Sequence, residues 1–127
     1  WFKSYRKDYK LGEQKRDFLY VKDCVAMTLH LAATSKANCV FNIGSGQART
    51  WIDLSKAVLK ELKKKPVIKF IEMPETIRDK YQYFTQANLL HLRGTGYTAP
   101  VTSLENAVHD YVRKYLVLDK RLDPSVE

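Results

Sequence analysis

Residues 16–33 constrain this chain more tightly than any other stretch. Arg16-Asp17-Phe18-Leu19-Tyr20-Val21-Lys22-Asp23 reads with period two: Phe18 and Tyr20 face one way, Asp17, Leu19 and Val21 the other. That spacing predicts a short strand. Asp23 stands where a helix N-cap is wanted, and the mostly apolar run Cys24–Ala33 predicts the helix behind it. A strand that feeds straight into a helix favours an α/β arrangement.

Arg16 opens this strand beside a loop, 3–15, rich in Lys and Tyr, with Gly12 as its one clear turn residue. A guanidinium on a rigid strand is a good fork for a phosphate or diphosphate. Pairing with Asp17 or another surface acid is the competing use.

The rest of the chain extends the alternation. Ser35–Asn38 reads as a turn and Cys39–Ile43 as a short buried strand. Gly44-Ser45-Gly46 follows, its glycines suited to positive φ, and Thr50-Trp51-Ile52-Asp53 has the form of a capping box. Behind it Trp51, Leu54, Val58 and Leu62 make one apolar helical stripe. Residues 66–74 predict a second apolar strand between prolines, and 75–80 a polar connection. Gln86–Leu92 predicts a helix, and Tyr97–Val101 is extended. Thr102-Ser103-Leu104-Glu105 suggests a second capping box ahead of a helix with Leu104, Ala107, Val108, Tyr111, Val112 and Tyr115 on one side. The expected organisation is one unit over residues 1–118 and a frayed tail over 119–127. Strands separated by crossover helices should run parallel.

With 127 residues this is one domain or part of one, and the opening Trp1-Phe2 reads as an interior point of a longer chain. The net charge of +8 allows nucleic acid, an anionic membrane or an acidic substrate as partner. The cations are dispersed, however, and Lys63-Lys64-Lys65 suits a helix C-terminus without any ligand. The aromatic residues do not interleave with the basic ones as in RNA-binding motifs. No apolar run is long enough to cross a bilayer, so neither nucleic acid nor membrane is the expected partner. Cys24 and Cys39 read as small buried hydrophobes, and His30, His91 and His109 as packing or surface residues, so no metal site is expected.

Gly44-Ser45-Gly46 lacks the third glycine of a dinucleotide loop, whose position holds Arg49, so a tight turn is the better reading. Three segments nevertheless form a recognisable set: residues 16–23, Phe41-Asn42-Ile43-Gly44-Ser45-Gly46, and Tyr81-Gln82-Tyr83-Phe84-Thr85-Gln86-Ala87-Asn88-Leu89. The first two resemble the C-terminal half of extended short-chain dehydrogenases/reductases acting on nucleotide-diphosphate sugars. The third, with Phe2-Lys3-Ser4-Tyr5 and the approach Gly12–Arg16, is similar to the ADP-heptose 6-epimerases among them. The likeness runs from Phe2 to about Leu116.

This resemblance implies an α/β fold holding the substrate-binding lobe and the last elements of a Rossmann sheet. It implies NADP-dependent epimerisation at C6 of ADP-D-glycero-D-manno-heptose, in lipopolysaccharide core synthesis, by a cytoplasmic homo-oligomer. Arg16 and Tyr81 would contact the ADP-heptose, and Phe2, Lys3, Ser4 and Tyr5 would line the same pocket. The family's Gly-x-x-Gly-x-x-Gly and Tyr-x-x-x-Lys are absent from this sequence. The resemblance therefore places the NADP mainly on residues outside it and leaves the chain inactive alone. Another nucleotide-sugar epimerase or dehydratase, or a small basic polyanion-binding module, remains as an alternative.

Overall fold

The first strand is shorter and earlier than its alternation suggests. The computed structural model describes residues 1–35 and 37–120. Its elements are β1 (Lys15–Asp17), α1 (Val21–Ala33), β2 (Ala48–Thr50), α2 (Trp51–Glu61), α3 (Glu75–Arg78), α4 (Leu90–Gly94) and α5 (Leu104–Tyr111). The last runs on into π-helical turns over Val112–Leu116.

Phe18 leaves the ladder because its ring turns edge-on to Trp51, with centroids 4.9 Å apart. Tyr20, not Asp23, occupies the N-cap position of α1. Asp23 sits inside the first turn and accepts from the Thr102 amide at 2.7 Å and the Thr102 hydroxyl at 2.9 Å. It thereby ties α1 to the entry of α5. With Thr102 so engaged, Ser103 caps α5 by accepting from Asn106 N, and Glu105 turns away to Arg49. The second capping box is thus shifted by one residue and lacks its reciprocal half. The first is complete: Thr50 Oγ1 accepts from Asp53 N, and the Asp53 carboxylate accepts from Thr50 N, both at 3.0 Å.

The sheet among the described residues is the antiparallel pair β1–β2, in the register Lys15 to Thr50, Arg16 to Arg49 and Asp17 to Ala48. The expected parallel order fails here because the turn at Gly44–Gly46 brings the chain back onto Asp17 before β2 begins. Parallel pairing survives only as single bridges, Phe2 with Ile71 and Lys15 with Phe84.

Neither apolar segment read as a strand becomes one. Val40 and Val67 are 88% and 86% exposed, and Cys39 is exposed and Cys24 half-buried where both were expected to be buried. Apolar extended chain makes a ladder only beside a backbone with free donors and acceptors. Only the end of the second segment finds one: Ile71 accepts from Lys3 N at 2.9 Å and donates to Trp1 O at 2.8 Å, and Lys69 O accepts from Trp1 N at 2.7 Å. The opening residues, read as a loop, supply that rung.

Gln86–Asn88 forms no helix, Leu89 is the N-cap, and the helix begins only at Leu90. The Ala87 amide is taken by Asp17 at 2.8 Å and the Gln86 side chain by Gly46 O at 2.7 Å. The connection at 75–80 contains the single turn α3. Of the tail expected at 119–127, residues 121–127 lie outside the described residues, as does Lys36 of the predicted turn. Lys120 N still reaches back to Tyr115 O at 3.0 Å.

Two apolar clusters hold the elements together. Met27 of α1, Leu92 of α4 and Tyr97 form one, with Leu19, Leu31, Ile43, Leu89 and Val101 around them. Leu104, Val108 and Val112 form the other, against Phe18 and the stripe Leu54, Ala57, Val58 and Leu62 of α2. His30 packs beside the first, bonded to Thr95 Oγ1 at 2.9 Å, while His109 meets Glu61 at 2.9 Å.

Candidate substrate-binding site

The segment 81–87 runs along β1, and this brings Arg16 and Tyr81 together. Lys15 N donates to Tyr83 O at 2.9 Å, and Thr85 N donates back to Lys15 O at 3.3 Å. The Arg16 guanidinium donates to the carbonyls of Lys15 and Gln82 and lies over the Tyr81 ring, 5.2 Å from its centroid. Its pairing with Asp17, the competing expectation, does not form. These contacts are to carbonyls and a ring face, which fix the guanidinium without neutralising its charge.

Phe2 meets the Tyr81 ring edge to face at 6.2 Å, and Tyr83 does so at 5.3 Å. Trp1, Phe2, Gly12, Gln14, Trp51 and Tyr81 enclose a pocket of about 180 Å³. Small-molecule sites usually measure ~300–1,000 Å³. This one has room for a single ring, with Arg16 at its edge through Tyr81.

Lys3 and Tyr5 form a second, adjoining group. Both bond to the carboxylate of Glu72, and Arg78 stacks on Tyr5 with its guanidinium carbon 4.0 Å from the ring centroid. Lys3, and then Tyr5, hold Glu72 below the ordinary carboxylate range, while Glu72 raises the pKa of both in turn. The two groups join where Tyr5 N donates to the hydroxyl of buried Tyr83 at 3.0 Å. Ser4 does not share in either. Its hydroxyl bonds only to the backbone of Arg6, donating to the carbonyl at 3.1 Å and accepting from the amide at 3.3 Å.

The sequence reading missed Arg6, Arg78 and Asp17. Arg6 lies over Tyr9 and Tyr83, at 5.2 and 5.3 Å, so three arginines cap one aromatic patch. The available signal was the interleaving of Arg and Tyr at 5–9 and 78–83. Asp17 carries more bonds than any of them. Its Oδ1 accepts from Ser45 N at 2.6 Å and Ser45 Oγ at 2.5 Å, its Oδ2 from Gly46 N at 3.0 Å and Ala87 N at 2.8 Å. Burial pushes its pKa up, but the Ser45 hydroxyl and these amides outweigh that and hold it below the usual carboxylate range. The amides of the Gly44–Gly46 turn therefore face an internal carboxylate, and a cofactor phosphate does not fit there.

Comparison with known proteins adds the family context. The pattern of the NAD dependent epimerase/dehydratase family matches residues 7–44. ADP-L-glycero-D-manno-heptose-6-epimerase of Nitratidesulfovibrio vulgaris strain Hildenborough is 49% identical over 115 residues, which is 91% of this chain and 36% of that protein. Among solved structures, UDP-N-acetylglucosamine 4-epimerase from Methanobrevibacter ruminantium, in complex with UDP-N-acetylmuramic acid, superposes with a TM-score of 0.72 at 23% identity. It is covered over 34% of its length by 88% of this chain. UDP-glucuronic acid 4-epimerase from Bacillus cereus, with UDP-glucuronic acid and NAD, gives a TM-score of 0.67 at 23% identity, over 89% of this chain and 34% of that one.

The fold is the α/β arrangement that these two epimerase structures share over the matched third of their length. The chain spans about a third of the length of the relatives it matches. Its sequence likeness is to ADP-L-glycero-D-manno-heptose-6-epimerases. The matched pattern covers β1 and α1 and stops at Gly44, so it includes Asp17 but neither the Ser45–Gly46 amides nor Tyr81.

Proposed function

We propose that this chain is the C-terminal, substrate-binding part of an ADP-L-glycero-D-manno-heptose 6-epimerase. The whole enzyme would carry out NADP-dependent epimerisation at C6 of ADP-D-glycero-D-manno-heptose, in the cytoplasm, for lipopolysaccharide core synthesis. The observation that carries this reading is the pairing of Arg16 with Tyr81 within a chain 49% identical to such an enzyme. Arg16 offers an uncompensated fork for the diphosphate, and the Phe2–Tyr81 pocket offers flat walls for one ring of the substrate. Lys3 and Tyr5, with Ser4 on the same loop, form the flank of that site.

The nicotinamide cofactor is assigned mainly to residues outside this chain, because the strand-to-helix turn Gly44-Ser45-Gly46 is committed to Asp17, and Gly94-Thr95-Gly96 closes α4 instead of opening a helix. Catalysis and assembly into a homo-oligomer are likewise properties of a polypeptide of the relatives' length. The likeness to the UDP-sugar epimerases is at 23% identity and supports the fold alone, so the base is assigned to adenine on the sequence likeness.

The test is conversion of ADP-D-glycero-D-manno-heptose by the full-length polypeptide, followed as inversion at C6 by proton NMR. Conversion of a UDP-, GDP- or dTDP-sugar with none of the ADP-heptose would overturn the assignment.

A further inference from the structure

We infer that Asp17 is a positioning residue, which sets the orientation of Arg16 toward Tyr81 by locking the segment 81–87 and the glycine turn to the end of β1. This rests on the substrate reading above and deepens it.

Along β1, backbone pairing with 81–87 runs through Lys15 and then ceases: the Asp17 amide goes to Thr85 Oγ1 at 3.2 Å, and no backbone carbonyl takes the Ala87 amide. The Asp17 carboxylate supplies that last rung from a side chain. The same group takes both amides of the turn Ser45–Gly46, so three segments distant in sequence meet on two oxygen atoms. The fit is close. A Cβ on Gly44 would lie 2.7 Å from Asp17 Oδ2 and would collide with Ala87 Cβ. Arg16 is the adjacent residue on the strand, and Gln82 O, to which its guanidinium donates, belongs to the segment so pinned. If that segment slides, the carbonyl and the Tyr81 ring move away from Arg16 together.

Asp17→Asn isolates this role. The amide keeps one acceptor oxygen but turns an NH₂ toward two donors, so one pair of bonds must break while size and packing stay the same. In the full-length polypeptide, Asp17→Asn should raise KM for ADP-heptose about tenfold and leave kcat within about twofold, as expected when a ground-state contact is misplaced. In an Arg16→Ala background the same change should raise KM less than about twofold, since the fork it positions is gone. Asp17→Asn should also speed amide exchange at Ala87 and Gly46. Should Asp17→Asn fail to fold, Ser45→Ala removes a single donor and should show a smaller KM rise with the same loss of effect beside Arg16→Ala.

Additive effects of Asp17→Asn and Arg16→Ala would overturn the inference, as would a lowered melting point with KM unchanged. Turnover by the unaltered polypeptide reports on the substrate reading independently. Its absence would remove that reading and this inference together.

Discussion

Arg16 and Arg49 are direct cross-strand partners, one guanidinium opposite another in the β1–β2 ladder. Like charges so placed repel. The protein resolves this by sending them to different surroundings. Arg49 reaches Glu105 at 2.6 Å and Asp53 at 3.3 Å, whereas Arg16 turns to carbonyls and the Tyr81 ring. Arg49 is ion-paired, whereas the described contacts of Arg16 are to neutral groups.

Substitution should separate the two. In the full-length enzyme Arg16→Ala should weaken ADP-sugar binding by about 1.5–3 kcal/mol, the value of a charge-assisted contact. Arg16→Lys should recover only part, because it keeps the charge and loses the fork. Arg49→Ala should leave affinity near the parent value and cost ~0.5–1 kcal/mol of stability. Calorimetric titration beside melting curves checks this; an Arg16→Ala protein with full affinity and a lowered melting point would refute the assignment.

In the proposed site Tyr81 would act through its ring, which touches Phe2, Tyr83 and Arg16. Tyr81→Phe should therefore cost less than Arg16→Ala in affinity. Tyr81→Leu should cost more than Tyr81→Phe, since it removes the face on which Arg16 lies. Equal losses for both replacements would shift the role to the hydroxyl.

Asp53 links stability to pH. Burial raises its pKa, but the Thr50 amide and hydroxyl, with Arg49, outweigh that and set it below the ordinary value. A depressed folded pKa means that the stabilisation is present above the unfolded value of about 3.9 and fades as pH falls through the folded value. Asp53→Asn should lower stability at neutral pH by ~0.3–1 kcal/mol and flatten the acid limb. Denaturant melts at pH 7 and at decreasing acid pH would show it; an unchanged acid limb would mean other carboxylates dominate.

The isolated 127-residue chain should self-associate. Val21, Val25 and Leu29 line one side of α1 and are each more than half exposed, and Val40 and Val67 stand almost free. Contiguous exposed apolar surface of this kind seeks cover. Light scattering over a concentration series should show growth in mass, and a monodisperse monomer with a sharp, high melt would contradict the expectation.

Local chemistry was readable in the sequence, and pairing at a distance was not. The Thr50–Asp53 box involves groups three residues apart, so its signal lies within one turn. The stripe of Leu54, Val58 and Leu62 obeyed its period for the same reason. Cys39–Ile43 has the composition of a strand, yet a strand exists only through a neighbour, and the sequence does not state who that is. Asp23 was read as a cap because its type suits one, while its partner Thr102 is 79 residues away. Arg16 was singled out by its place at a strand edge and Tyr81 by a motif resemblance. Their meeting depends on the run of 81–87 beside β1, and Asp17, which fastens that run, carried no local signal at all.

Gly12 has a consequence for how this surface can change. It is buried at φ +82°, where an added Cβ would strike the Ile52 side chain and lie 3.2 Å from Phe70. Its neighbours Lys7, Lys10 and Leu11 are exposed. In a saturation scan Lys7 and Lys10, conspicuous for their charge, should tolerate nearly any replacement, while the inconspicuous Gly12 should tolerate none. Variation in charge can thus accumulate on this rim without disturbing the aromatic patch beneath it.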